Sequence, residues 1–544
     1  MAPDTAHAPP ALQDAFRFLL QSGGFFPHLT FREIAAVRMV SRDCDSWGAY
    51  GQPLALQALK THSDQAARLQ LLHDALSSGP TRFAHELLLE HAPQLVADDI
   101  ECLSARKHTF LHVAAGAGST PKMRLLLQHG WAPLILQPTL NQRKASCLHI
   151  AAFAGNTPMV KALIEAAGHS VAELLLAVDF KHCTGLNAAA LAGHAETMRV
   201  ILSAAARVGV QGHILLHNDY KLRTILYKAV KSGSIEAVEA LLDTPGIGAV
   251  LAHEDFRAQH CLYAAARGQS VEVMKALLRA AEKEDILAQM LLSRDIMRCS
   301  CLHEAAFLGD APLVRTLLEA AERMRVRMEF VLMKNDHGLT CLDLAISMYK
   351  AQNVEALLSG IGALEMSALM ISQRDNGDNC FLAAVRTMGP RTLFELISAA
   401  GRVHGLLARL LATQDSDGQG LLHVVVTHMR FEHPDESTMV RLLLCDTPLE
   451  SARALVLKQT KEGLSSLYCA IARAKTRAAN QIFLFACRLD VVDETLQITD
   501  DKMAENNQGL TLTWLSNKLW ENEGEVFGGG NRDVYSKVLG RVLP

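Results

Sequence analysis

Twenty-three histidines and twelve cysteines in 544 residues raise the question of a metal centre or a nucleophilic active site. The stretch "HEAAF" beginning at His303 supplies the first histidine and the glutamate of a helical zinc-hydrolase motif. The second histidine, one helical turn on, is missing, so a single imidazole would face any metal. Cys299 and Cys301 have no second ligand pair at zinc-binding spacing. No glycine-rich phosphate loop and no Gly-x-Ser-x-Gly elbow occurs, and "GIG" at Gly246 lacks both a third glycine and a clear preceding strand. No nucleophile, base and orienter can be assembled, so the sequence points away from an enzyme and implies no cofactor and no metal.

Position accounts for the histidines better. His73, His112, His149, His303 and His423 each follow a leucine, and these leucines belong to a series: Leu72, Leu111, Leu148, Leu186, Leu226, Leu262, Leu302, Leu342, Phe381, Leu422 and Leu467. The spacing averages roughly 40 residues, the signature of a stacked repeat. Three residues past each anchor stands an alanine, with Val425 the exception, and seven past it glycine recurs from Gly79 through Gly309. At fifteen and sixteen an apolar pair follows, as in Leu317-Leu318. Small alanines on an inner helix let neighbouring units approach closely, and a glycine just past the helix suits a left-handed cap. The apolar pair lies on a second, antiparallel helix that cannot bury its face alone, so stacking must bury it. Upstream, Asp179, Asp219, Asp255, Asp295 and Asp415 at minus seven, and Gly338, Gly377, Gly418 and Gly463 at minus four, predict tight turns projecting between helix pairs.

The bulk numbers agree with a large, ordered array. Hydrophobic residues make up 49% and charged residues 20% of the chain, while 53 basic and 57 acidic residues leave a net charge of −4, without the basic footprint of a nucleic-acid binder. No run is long and apolar enough for a membrane helix, and the first ten residues lack the pattern of a general secretory signal. A cytoplasmic protein is expected. Cys147, Cys261, Cys301, Cys341 and Cys380 share one repeated position, which suits small buried thiols in a reducing compartment rather than disulfides.

The segments "TFLHVAAGAG", "SCLHIAAFAGN" and "GLTCLDLAI" resemble the Asp-x-x-Gly-x-Thr-Pro-Leu-His-x-Ala-Ala signature of ankyrin repeats, over about residues 69 to 487. The resemblance implies an all-α solenoid of about eleven units, each a turn finger and two antiparallel helices, whose usual work is binding other proteins. The signature proline is absent, its place often taken by cysteine. Each unit is about six residues longer than the ~33 of the family, and the period alone would also fit HEAT-type units. The extra residues carry a second apolar cluster, as in "AAEKEDILAQMLLSRD", which predicts an outer helix that is extended or followed by a short third helix.

Ahead of the array, "HLTFREIAAVRMVSRDCDSWG" carries apolar residues at helical spacing and resembles the second half of an F-box through Leu29, Ile34, Val37, Val40, Ser41 and Arg42. Cys44 stands where the family has tryptophan, and Trp47 follows three residues later. F-boxes bind the Skp adaptor of cullin-RING ubiquitin ligases, so this resemblance implies a substrate receptor. The bland alternative is a lid on the first repeat, leaving a ligase-independent scaffold or an effector that masks a host protein. Ankyrin chains with an F-box resemble effectors that bacteria deliver into host cytosol by specialised secretion. The expected organisation is 1–11 a disordered N-terminus, 12–60 a small helical F-box-like domain, 61–489 the repeat array and 490–544 a C-terminal cap. For target capture the turn tips are the candidates: Lys181, His182, Tyr220, Lys221, Arg223, Phe256, Arg257 and Arg298, basic residues interleaved with aromatics of the kind interfaces favour.

Overall fold

The computed structural model describes residues 65–77, isolated positions between 81 and 99, and 108–495 except 269, 375–376, 388, 429–433, 474–475 and 492–493. Leu29, Ile34, Val37, Val40, Ser41 and Arg42 lie outside the described residues, as do 496–544 and the lid or docking role expected of 12–60. Two compact units divide the chain, residues 1–250 and 251–544. Among the described residues every regular element is a helix, and the only β feature is an isolated bridge between Gln459 and Ser465.

In the first unit the inner helices are Phe110–Gly116, Cys147–Phe153, Gly185–Ala192 and Ile225–Ser232, and each packs on the next. In the second unit they are Cys261–Gly268, Cys301–Phe307, Cys341–Ser347, Cys380–Arg386, Leu421–His428 and Ser466–Ala472, stacked the same way. The expected anchor is the second residue of each of these helices and is fully or almost fully buried. Burying such a leucine stabilises by roughly 2 kcal/mol. Two residues before the anchor a small polar side chain caps the helix: Ser146, Thr184, Thr224, Thr340, Asn379 and Ser465 each accept a hydrogen bond from the backbone N–H three residues on.

In most of the described units the added length resolves as a separate third helix rather than a longer second one. After the outer helix Val271–Lys283, Asp285 adopts a left-handed φ of 57°, and the short helix Leu287–Leu292 follows. Arg325 at 60° separates Ala311–Arg323 from Arg327–Leu332 in the same way, and Gly209 at 74° separates Ala195–Arg207 from Gln211–Leu215. A left-handed residue cannot continue an α-helix. The third helices bury apolar pairs such as Leu174-Leu175, Ile214-Leu215, Met290-Leu291 and Phe330-Val331, and in the second unit they stack on one another as a further column.

The cysteines that replace the signature proline tie this column down. Sγ of Cys261 donates to the carbonyl of Leu251 (3.6 Å), Cys341 to Val331 (3.7 Å) and Cys380 to Met370 (3.3 Å), each reaching the preceding third helix. Burial pushes the thiols of Cys147, Cys261, Cys301 and Cys341 up to about 12, so they act as inert packing groups.

The glycines past the inner helices mostly behave as the sequence predicts, with φ of 69°, 69°, 78° and 77° at Gly118, Gly155, Gly193 and Gly233. Gly309 differs: its φ is not positive, but a Cβ there would sit 2.7 Å from the carbonyl of Ala305 and 3.0 Å from that of Ala266. Close backbone approach, not turn geometry, demands glycine at that position.

Candidate protein-binding surface

Most of the described fingers between a third helix and the next inner helix are built around one side chain. Oδ1 of Asp179 accepts the backbone N–H groups of Lys181 and Cys183, both at 2.8 Å, and Asp219 does the same for Lys221 (2.8 Å) and Arg223 (3.0 Å). In the second unit Asp255, Asp295 and Asp415 repeat the arrangement, with Asn335 as an uncharged substitute. This Asx-type turn closes the loop that the aspartates at minus seven imply. Successive fingers then join edge to edge. Tyr220 N–H donates to Lys181 O (3.1 Å) in the first unit, and Ile296 N–H to Arg257 O (3.0 Å) in the second.

The histidines after the anchors pin the next finger from below. His149 accepts from Ser146 N–H (3.2 Å) at Nδ1, which makes Nε2 the donor to Cys183 O (2.7 Å). His112 reaches Ala145 O (3.1 Å), His303 reaches Leu339 O (3.2 Å) and His423 reaches Leu464 O (2.9 Å). His73 instead lies 3.7 Å from the Asp74 carboxylate. Burial drives the imidazoles of His112 and His303 down to about 4 and lowers those of His149 and His423, so all four are neutral hydrogen-bonding struts at neutral pH.

Aromatic side chains at the tips stand beside cations. Phe180 and Tyr220 are 48% and 54% exposed, with Lys181 Nζ 5.2 Å and Lys221 Nζ 5.4 Å from the respective ring centroids. In the second unit Phe256 and Arg257 form the same pair at 5.4 Å. The chemistry on offer is a cation held beside an apolar face, repeated from finger to finger. Single mobile lysines rarely anchor an interface, but an aromatic that shelters the cation's stem does.

Other expected tip residues are placed differently. The Arg223 guanidinium turns inward to Asp219 Oδ2 (3.0 Å) and lies 5.2 Å from the Tyr227 ring centroid. Asp219 also takes the buried Lys228 at 2.9 Å, and Lys228 Nζ is 3.1 Å from Cys183 Sγ. Burial alone would raise the Asp219 carboxyl, but hydrogen bonds from Lys228 and from the Arg223 and Lys221 backbone hold it below the ordinary carboxylate range. His182 and Arg298 occupy the minus-four position of their fingers, both at φ 56°, where later fingers use Gly338, Gly377, Gly418 and Gly463.

The family model for ankyrin repeats, as three copies, matches residues 72–172. Residues 72–172 carry ankyrin repeats. The capped inner helix, buried anchor and finger of that region recur through Leu467. The chain is similar to the ankyrin repeat domain of human ASB11, at 25% identity, over 47% of this chain and 99% of that one, with a TM-score of 0.36. It is also similar to a chain of the complex between the predatory endopeptidase Bd0816 of Bdellovibrio bacteriovorus and the immunity protein Bd3460. There the identity is 20%, over 39% of this chain and 96% of that one, with a TM-score of 0.32. No curated protein matches in sequence. Ankyrin repeats imply protein binding. Among the described residues no group of three or more His, Cys, Asp or Glu is arranged to hold a metal, and no helix is long and apolar enough to cross a membrane.

The repeat arithmetic of the sequence missed two kinds of residue. Tyr263 stands where the histidine usually does, and its hydroxyl donates to Cys299 O (2.8 Å), so any donor of sufficient reach serves at that position. Arg294 and Lys334 flank the fingers instead of sitting on their tips.

Proposed function

We propose that this ankyrin-repeat chain is a substrate receptor. Its fingers capture a target protein, while the F-box-like stretch with Leu29, Ile34, Val37, Val40, Ser41 and Arg42 docks to the Skp adaptor of a cullin-RING ubiquitin ligase. The observation that carries the capture half is the exposed aromatic-lysine pair repeated at Phe180/Lys181 and Tyr220/Lys221. Its basic character selects an acidic target surface. The docking half is supported by the residue pattern at 29–42 alone. The cytoplasm of a host cell is where both halves would meet their partners.

Calorimetric titration of the full chain with a eukaryotic Skp adaptor tests the docking half. Micromolar or tighter binding that is lost in Val40→Asp, with unchanged thermal unfolding of the repeats, supports a receptor. Absence of binding removes the ligase connection and leaves a scaffold that captures or masks its target. Replacing Lys181 and Lys221 by glutamate is the matching test of the fingers. It avoids Arg223, whose loss would expose the buried Asp219 network.

A further inference from the structure

In the second unit a groove of about 390 Å³ opens beside the finger that carries Ile296 and Arg298. Arg294, just before that finger, Arg298 at its left-handed position, and Lys334, just before the next finger, supply three cations, and Glu329 supplies the one carboxylate. The cations are poorly neutralised by the protein itself. Arg294 makes no ion pair or hydrogen bond among the described residues. Arg298 stands 3.9 Å from Asp336 with both side chains exposed, a separation that contributes little. Lys334 donates to a backbone carbonyl, that of Gln373 (2.7 Å), which holds its position without cancelling its charge. Glu329 forms no ion pair with any of the three.

Apolar surface adjoins the cations. Met333 contributes to the groove, and Ile296 and Met297, at the tip of the finger itself, are 60% and 46% exposed. The finger also pays a conformational cost to present Arg298. Its φ of 56° is one that glycine adopts freely and that other residues adopt only at a conformational cost. A net positive groove next to an exposed aliphatic tip is complementary to a chain segment that places carboxylates next to bulky apolar side chains.

We propose that this groove is a docking site for an acidic-hydrophobic protein segment, with Arg294, Arg298 and Lys334 receiving its Asp or Glu carboxylates and Ile296 and Met297 receiving the neighbouring apolar residues. The inference rests on the reading of the fingers as a capture surface and assigns the second unit's share of it. It is independent of whether the N-terminal stretch binds an adaptor.

The test is selection of a random-peptide library on the full-length protein, followed by titration of the best synthetic peptide against the wild type and against the Arg294→Glu/Arg298→Glu double variant. The expected result is enrichment of Asp and Glu beside Leu, Ile, Met or Phe, affinity that falls steeply with salt, and at least a tenfold loss in the double variant with unchanged unfolding. The milder Arg294→Gln should lose several-fold, which guards against a folding defect in the double variant. Failure to select any peptide, selection of peptides without acidic enrichment, or acidic peptides bound equally by the variants would each overturn the proposal. Adaptor titration of the same protein reads the receptor hypothesis separately, so either can fail without the other.

Discussion

The Tyr263 hydroxyl donates to the carbonyl of Cys299 at 2.8 Å, the same finger position that His149 reaches at Cys183 and His303 reaches at Leu339. Where a strut forms at this site, it therefore needs a donor of sufficient reach rather than an imidazole. Tyr263→Phe keeps the ring packing, removes the donor and should cost about 1–2 kcal/mol. Tyr263→His should retain most of that. Both are read as the urea midpoint of the second unit, and equal midpoints for wild type and Tyr263→Phe would sink the idea.

Asn187 holds the equivalent place in the first unit, and neither of its side-chain polar atoms finds a partner although the residue is buried. Its shorter side chain does not reach the carbonyl of Arg223, which already accepts from Asp219 N–H as Cys183 O does from Asp179 N–H. Buried unsatisfied amide groups cost stability. Asn187→His should restore the strut and raise the stability of the first unit by roughly 1 kcal/mol. A lower denaturation midpoint would show that the site lacks room for the ring.

Acid should loosen the array before its carboxylates titrate. Burial holds His112 and His303 at about 4, against roughly 6.5 for a free imidazole. The folded state therefore binds fewer protons than the unfolded one in that window. The stability these residues contribute is complete above about pH 6.5 and is lost as pH falls from there toward 4. Each histidine accounts for up to roughly 3 kcal/mol. Denaturant midpoints measured at pH 7.5, 6 and 5 should fall steadily, and a flat profile would contradict the neutral-strut assignment.

Much of this architecture is legible in the residues because stacked repeats state each requirement many times. Alanine at plus three and leucine at the anchor recur wherever one helix must lie close against the next, so chance agreement averages out. The third helix was readable only as an apolar cluster. What separates it from the outer helix is a single left-handed residue; Arg325 carries no such signal by type and Asp285 only a weak one, unlike Gly209 or Gly405. The surface is harder to read. Arg223 looks like Lys221 in a list of basic tips, yet one is spent on Asp219 and the other faces an aromatic ring. The partner that decides this, Lys228, approaches from the inner helix.

That inner cluster should respond asymmetrically. Asp219 serves both Arg223 and Lys228, so Asp219→Asn strands a buried ammonium and should destabilise the first unit by about 3–5 kcal/mol. Lys228→Met fills similar space and leaves Asp219 its bond to Arg223, so its cost should be much smaller. Thermal unfolding of the two variants side by side reads the difference, and equal losses would mean the ion pair with Lys228 dominates the site.

Arg298 and Ala258 share the left-handed finger position at φ of 56° and 57°, where Gly338 and Gly377 sit at 66° and 81°. For Ala258 no function competes with relief of the backbone, so Ala258→Gly should raise stability by about 0.5–1 kcal/mol, the left-handed relief exceeding glycine's added unfolded-state entropy. Arg298→Gly should relieve the same backbone and also empty one cation from the groove. It should therefore gain stability while losing affinity for an acidic peptide. Opposite movement of the two quantities in one variant would mark the arginine as a residue kept for binding at the expense of the fold. Loss of stability in both glycine variants would show that neighbouring contacts, not backbone strain, govern the finger.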